Sequence, residues 1–291
     1  VTSLTTYPAP PRSAVSVEEL QRAWQAVQAG DFRRHPGASP RPDASSSHET
    51  GGQPWEPHEA VLPVIGCAGS VGATTLALSL ATAAVAATAD AVGGARVVEC
   101  CTVTASGLAP ASTAELGQHP AGWLQGTRGE VLLERSTDMY VSPDEVLPPT
   151  DAAPGLGLTV LDVGWELGQL MASPSWLSDR VLHADHVVAV TTATIPGLRR
   201  LEGALALLEG TPVIGAVLGP PRRKWPRGLE HSLGALSRRL DQHGAMHPIP
   251  LDRGLAVRGL DSQALPTRLL TAAGHLLRAS VAGATTKGNL S

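Results

Sequence analysis

The chain has 291 residues, 43% of them hydrophobic and 16% charged, with a net charge of −4. That is enough apolar material for one large α/β domain or two small ones. The slightly acidic balance excludes a global electrostatic attraction to nucleic acid, and an aromatic content of 3% leaves a core built from Ala, Val and Leu.

Residues 1–58 are rich in Pro, Ser and Gly and are expected to form a mostly disordered arm. Within it, SVEELQRAWQAVQAG predicts a short helix over 16–29. Ser16 and Glu19 form a capping box, Gly30 ends the helix, and Val17, Leu20, Trp24 and Val27 share one face. A helix this short is marginal alone, so it is expected to dock, either on its own domain or in the groove of a protein partner. From residue 59 onward, short β-branched runs alternate with Ala/Leu-rich segments. Strands are predicted at 61–65, 95–101, 138–142, 158–163, 185–191, 211–218 and 245–250, and helices at 74–90, 196–209, 229–242 and 265–280. Most of these strands are apolar without strict alternation, the pattern of a sheet covered on both faces. The expected fold is α/β: one doubly wound, mostly parallel sheet over 59–281, followed by a disordered tail at 282–291. The segment 76–92 carries Ser79, Thr82, Thr88 and Asp90, and reads as a buried helix and not a membrane span. No basic start followed by an apolar run marks a secretory leader. The three cysteines, Cys67, Cys100 and Cys101, show no CxxC spacing and fit a reducing cytoplasm.

GCAGSVGATTLALSL, from Gly66 to Leu80, follows the first predicted strand and opens the first predicted helix. A phosphate loop needs glycine because backbone N–H groups must curl toward the anion. The helix that follows adds free N–H groups and the positive end of its dipole. Here Gly69, Ser70 and Gly72 shape the loop, and Thr74 and Thr75 supply hydroxyls of the kind that ligate Mg²⁺. Position 73, where such a loop normally carries Lys, is Ala73. Further on, LTVLDVG ends a strand in Asp162, which can orient a Mg²⁺-bound water beside Thr74 or hydrogen-bond the loop itself.

In the order of these motifs the chain resembles the ParA/MinD family of deviant Walker-A ATPases. The family's loop reads KGGVGKTT; this chain reads AGSVGATT, from Ala68 to Thr75. Glu99-Cys100-Cys101 stands at the family's D-x-D, and Asp162 ends a Walker-B-like strand. The stretch from Ala184 resembles the family's strand and long helix, and IPLDRGLAVRG, from Ile249, its closing segment. The resemblance covers about residues 60–280. It implies a P-loop NTPase fold, ATP or GTP with Mg²⁺ as ligand, and a homodimer formed around nucleotide. The departures imply lost chemistry. The P-loop Lys is Ala73, the signature Lys is Ala68, and the second Asp of D-x-D is Cys101. Each lost contact to developing charge costs roughly 10²–10³ in rate. The resemblance therefore implies a catalytically degenerate member that acts as an adaptor or scaffold in plasmid or mobile-element partitioning or transfer. Basic side chains are nearly all Arg, with Lys224 and Lys287 the only lysines, which is the usage of a high-GC bacterium.

Other readings stay open. The cradle at Gly69, Ser70, Gly72, Ala73, Thr74 and Thr75 can serve an atypical nucleotide-binding switch with slow or no hydrolysis, or only a tight turn. A replacement cation can come from Lys224, Arg222 or Arg223. Gly66, Gly69 and Gly72 also form G-x-x-G-x-x-G, with Glu99 placed to hold a ribose hydroxyl, as in an NAD(P)-binding protein. Neither Tyr7 nor Tyr140 has Lys four residues on, so the catalytic pair of such enzymes is missing. Finally, Arg222, Arg223, Lys224, Arg227, Arg238 and Arg239 form a basic cluster around Trp225 that can hold DNA nonspecifically. Arg199 and Arg200 are expected to face solvent.

Overall fold

The computed structural model describes residues 55–87 and 93–287, with side chains to residue 280. The expected helix at 16–29, with Val17, Leu20, Trp24 and Val27, lies outside the described residues. The strands are β1 (Ala60–Gly66), β2 (Gly94–Cys100), β3 (Ala114–Gln118), β4 (Trp123–Arg128), β5 (Val131–Ser136), β6 (Leu156–Val163), β7 (Val187–Thr192), β8 (Val213–Leu218) and β9 (Met246–Ile249). The helices are α1 (Ala73–Ala87), α2 (Leu167–Ala172), α3 (Trp176–Leu182), α4 (Ile195–Leu207), α5 (Arg227–His231), α6 (Ala235–Gln242), α7 (Arg253–Arg258) and α8 (Thr267–Lys287). The nine strands form one sheet in the order β3-β4-β5-β2-β6-β1-β7-β8-β9. All pairings from β5 to β9 are parallel, and β4 runs against both of its neighbours. This is the doubly wound, mostly parallel architecture that the apolar strands lead one to expect.

Successive residues of a strand point to opposite faces, and the two cores follow that alternation. Leu62, Val64, Val97, Val160 and Val188 meet α1 and α8 through Leu76, Leu80, Leu269 and Leu276. Ile65, Val98, Leu161 and Val163 face the other way, onto Leu170 of α2, Leu177 and Val181 of α3, and Ala204 of α4. Each fully buried aliphatic side chain of this kind contributes about 1.5–3 kcal/mol. Among the described residues no helix is long and apolar enough to cross a membrane.

Three elements differ from expectation. Residues 138–142 are not a strand: the chain leaves the sheet after Ser136, and Met139 and Val141 are exposed. Instead 114–136 forms the β3-β4-β5 meander. VLLERS at 131–136 carries two charges, which break its apolar pattern. Glu134 is nonetheless fully buried, because it pairs with Arg96 of β2. The helix predicted at 229–242 is two helices. The Glu202 carboxylate of α4 enters the gap and accepts bonds from Leu236 N (2.8 Å), Ser237 N (2.9 Å) and Ser237 Oγ (2.7 Å), capping α6. A Cβ at Gly234 would lie 2.1 Å from that carboxyl carbon, so only glycine fits there. At the other end of the chain, α8 continues to Lys287, past the expected end at 280 and into the stretch expected to be a disordered tail.

The start of the sheet is held by a buried charge cluster. Arg96 donates to Glu59 Oε1 (2.8 Å), Glu134 Oε2 (3.2 Å), Thr159 Oγ1 (2.8 Å) and the Thr150 carbonyl (2.6 Å). It also lies over the Trp55 ring at 5.8 Å, and Trp55 meets Trp176 of α3 edge-on at 5.5 Å. Burial works against the charge of Glu59, but bonds from Thr159 and Arg96 hold its carboxyl below the ordinary range. Arg96→Leu leaves two carboxylates buried without their cation, so it is expected to cost about 3–5 kcal/mol in urea unfolding. Adding Glu59→Gln and Glu134→Gln to the Leu variant is expected to recover much of that loss; no recovery would show that the cluster is not an electrostatic unit.

Candidate functional site

β6 lies between β1 and β2, with Val64, Asp162 and Glu99 in register across the three strands. Val64, Val97 and Val160 face α1, so by alternation Asp162 and Glu99 stand on that same face near the carboxyl ends of the strands. The loop between β1 and α1 crosses above them. It is tied to the sheet by Cys67 N donating to the Val190 carbonyl (2.8 Å), and α1 begins with Leu76 N donating to the Gly72 carbonyl (2.9 Å). Two of its residues take left-handed backbone, Ser70 at φ 59° and Gly72 at φ 87°. Ser70 is the only non-glycine residue to do so among the described residues, and a side chain there costs conformational energy. A Cβ placed on Gly69 would meet nothing within 4 Å, so the loop surface is open. The first turn of α1 carries no acid to oppose an incoming anion.

The loop forms one wall of a cleft of about 1480 Å³. The cleft is lined by 66–76, by Asp162 of β6 and Trp165 after it, by Arg200, Gly203 and Leu207 of α4, and by 249–252, Leu255 and Ala256. Gly69, Ser70, Gly72, Ala73, Thr74, Thr75 and Asp162 are thus brought together. The Thr74 hydroxyl and the Asp162 carboxyl both line the cleft, and the hydroxyl is near enough to influence the acid. Burial pushes the Asp162 carboxyl up to about 7, the Thr74 hydroxyl opposes the rise, and the charge of Glu99 adds to it.

Glu99 holds the neighbouring loop. Its Oε1 accepts from Gly107 N (2.6 Å) and Leu108 N (2.9 Å), and its Oε2 accepts from Ser106 Oγ (2.7 Å). A Cβ on Gly107 would lie 3.2 Å from Thr74 Cγ2, so this loop packs directly beside Thr74. Sequence reasoning set Glu99 against a ribose or the first Asp of D-x-D; both of its oxygens are engaged by its own chain. That role rests on backbone donors eight and nine residues away, a contact that spacing alone does not announce. Cys101 is buried, and burial pushes its thiol and that of Cys100 upward. Cys67 is pushed up to about 12 by burial. None of the three is an activated nucleophile.

The basic cluster is partly committed elsewhere. Arg222 reaches Asp241 at 2.5 Å and Glu230 at 3.8 Å, and stacks over Trp225 at 5.1 Å. Trp225 donates Nε1 to the Pro220 carbonyl (2.9 Å) and packs on Leu198, Leu229 and Leu233. Arg238 donates to the Leu233 carbonyl. Arg223, Lys224, Arg227 and Arg239 remain exposed. None of the residues 222–239 lines the cleft, so the replacement cation sought in Lys224, Arg222 or Arg223 is not there. The cation that lines the cleft is Arg200, which is exposed, as expected, but faces the cleft. Its signal was the helical spacing of Arg200, Gly203 and Leu207, which puts the three on one side of α4.

No family model matches the chain, and no curated protein matches it. Solved structures with a similar chain path include a plasmid partition protein from Borrelia burgdorferi bound to AMPPNP. It is 12% identical, covers 76% of this chain and 97% of its own, and has a TM-score of 0.46. The cell division protein MinD of Aquifex aeolicus is 16% identical over 76% of this chain and 97% of its own, at a TM-score of 0.44. Apo McdA from Cyanothece is 12% identical over 77% of this chain and 100% of its own, at a TM-score of 0.45.

Because the native Asp162 holds its proton to about pH 7 and an unfolded one loses it near 4, the native state binds more protons between those limits. Stability is therefore expected to fall as pH rises through this window, by roughly 1.4 kcal/mol per pH unit. Asp162→Asn removes that slope. In metal-free buffer, its stability relative to the wild type is expected to increase from about pH 4 to pH 7 and then level off. A difference that stays constant with pH, measured by urea unfolding, would show that Asp162 is ionised throughout.

Proposed function

We propose that the chain is a nucleotide-binding protein of P-loop type that holds a triphosphate without efficient hydrolysis and acts through a protein partner. The observation that carries this reading is the pairing of Thr74 with Asp162 beneath an open, left-handed glycine loop. A loop kept only for a tight turn has no need of a hydroxyl and a buried acid placed together at its base, nor of the cleft in front of them. The residues present fit the phosphate tail: backbone of Gly69 to Thr74 around the anion, and the α1 N-terminus behind it. Thr74 and Asp162 are the residues that would hold Mg²⁺, which when bound neutralises phosphate charge.

The same residues argue against rapid hydrolysis. Ala73 and Ala68 bring no charge to the transferring phosphate, and Cys101 has no carboxylate with which to engage water. Loss of preorganised positive charge lowers the rate far more than ground-state binding. The output is then a bound state read by another protein, and the proposed docking element is the segment 16–29, whose sequence predicts a helix. A setting in plasmid or mobile-element partitioning, in a cytoplasmic compartment, rests on the sequence resemblance. NAD(P) binding is disfavoured because Glu99 is engaged by Ser106, Gly107 and Leu108.

Calorimetry with ATP, GTP and NAD(P) in the presence of Mg²⁺ tests the reading. Wild type is expected to bind one of the triphosphates and to release no phosphate above background over hours. Thr74→Ala is expected to weaken binding about tenfold or more, and Ala73→Lys to strengthen it. Binding of NAD(P) alone, or steady phosphate release by wild type, would overturn it.

A further inference from the structure

A triphosphate brings several negative charges into the cleft, and the loop offers no side-chain cation to meet them. Asp162, Glu166 and Asp252 also line the cleft, so its fixed charge would otherwise be wholly acidic. Each of these acids is occupied within the chain. Asp162 is buried beside the Thr74 hydroxyl, Glu166 caps α2 by accepting from Gln169 N (2.9 Å), and Asp252 caps α7 by accepting from Leu255 N (2.9 Å). Arg200 is different. It lines the same cleft, is exposed, and makes no hydrogen bond or ion pair among the described residues. It sits on the first turns of α4, whose cleft-facing stripe continues through Gly203 and Leu207. A Cβ on Gly203 would meet nothing within 4 Å, so the space beside Arg200 is open. Arg199, one position earlier, is equally exposed and does not line the cleft.

We propose that Arg200 supplies, from α4, the positive charge that the glycine loop lacks, and binds the terminal phosphates of a triphosphate seated on that loop. The inference rests on the nucleotide-binding reading above. A guanidinium suits the task, since its planar fork can give two parallel N–H bonds to phosphate oxygens and it stays charged at any working pH. An exposed arginine without an ion-pair partner among the described residues is available to an incoming anion. Its place on a helix separate from the loop also makes the site bipartite, closed only when a phosphate tail spans loop and helix. A nucleoside monophosphate, with its single phosphate held by the loop, gains little from Arg200. The inference is therefore about specificity as well as affinity.

Calorimetry on the full chain with Mg²⁺ decides it, using ATP, AMP and inorganic triphosphate against wild type, Arg200→Ala, Arg200→Lys and Arg199→Ala. Thermal melting should be unchanged in all three variants, because both side chains are exposed. Arg200→Ala is expected to weaken ATP and inorganic triphosphate by roughly tenfold to a hundredfold and AMP by less than about twofold. Arg200→Lys is expected to recover part of the loss, and Arg199→Ala to bind as wild type does. If wild type binds ATP and Arg200→Ala binds it as tightly, the role of Arg200 is overturned and the nucleotide-binding reading stands. Equal loss in Arg199→Ala would also overturn it, since the effect would then be one of general surface charge. If wild type binds neither these three ligands nor GTP, the nucleotide-binding reading falls and the role of Arg200 falls with it.

Discussion

The insertion of β6 between β1 and β2 is the constraint on which the rest of the structure depends. Parallel register sets Val64, Asp162 and Glu99 in one row across three strands, and the pleat turns Asp162 and Glu99 toward α1. Two carboxylates in neighbouring strands of a buried sheet repel and are poorly solvated. The chain resolves this in two different ways. Glu99 gathers two backbone N–H groups and a hydroxyl, and in doing so fixes the 106–108 loop beside Thr74. Asp162 has only the Thr74 hydroxyl against full burial, and retains its proton toward neutrality. The shape of the cleft floor follows from that division.

The opposite end of the sheet shows the same physics with the sign reversed. Arg96 is as buried as any leucine in the core, and its charge survives because Glu59 and Glu134 surround it. This cluster ties β2 to β5 and to the start of β1, and Trp55 covers it. The pairing explains how a strand as charged as VLLERS can lie inside the sheet. It also holds the β3-β4-β5 meander onto the parallel strands, while the chain beyond Ser136 peels away and exposes Met139 and Val141.

What was legible in the sequence was whatever a single element encodes by itself. Apolar runs such as VLPVI and LTVLDV place β1 and β6, and the loop with its following helix is marked by Gly69, Gly72 and Thr74. What was not legible depends on a partner far along the chain. Glu134 looks like a surface residue until Arg96, 38 positions away, is brought beside it. The break at Gly234 is caused by Glu202 of another helix. DMYVS, by contrast, has high strand propensity and lies outside the sheet, because propensity describes how a residue fits a half-buried surface and not whether a partner strand is there. Arg200 was visible as a residue and as a helix position, but the cleft it lines exists only once α4 is docked against α2 and the loop.

The absence of a basic side chain from residues 66–75 and the raised Asp162 carboxyl belong to one argument. A cation close to the acid would favour its ionised form and hold its carboxyl low. None is among the influences on Asp162, which are burial, the Thr74 hydroxyl and the charge of Glu99. Ala73 and Ala68 bring no charge to the loop, and the Asp162 carboxyl stays raised to about 7. A protonated acid at the base of the loop repels a phosphate less than a carboxylate does, which suits ground-state binding in the proposed function. The same does not help hydrolysis, where charge accumulates on the transferring phosphate and fixed positive groups act most strongly. In the proposed function, holding a phosphate then falls to backbone N–H groups, the Thr74 hydroxyl, the helix dipole and, from α4, Arg200.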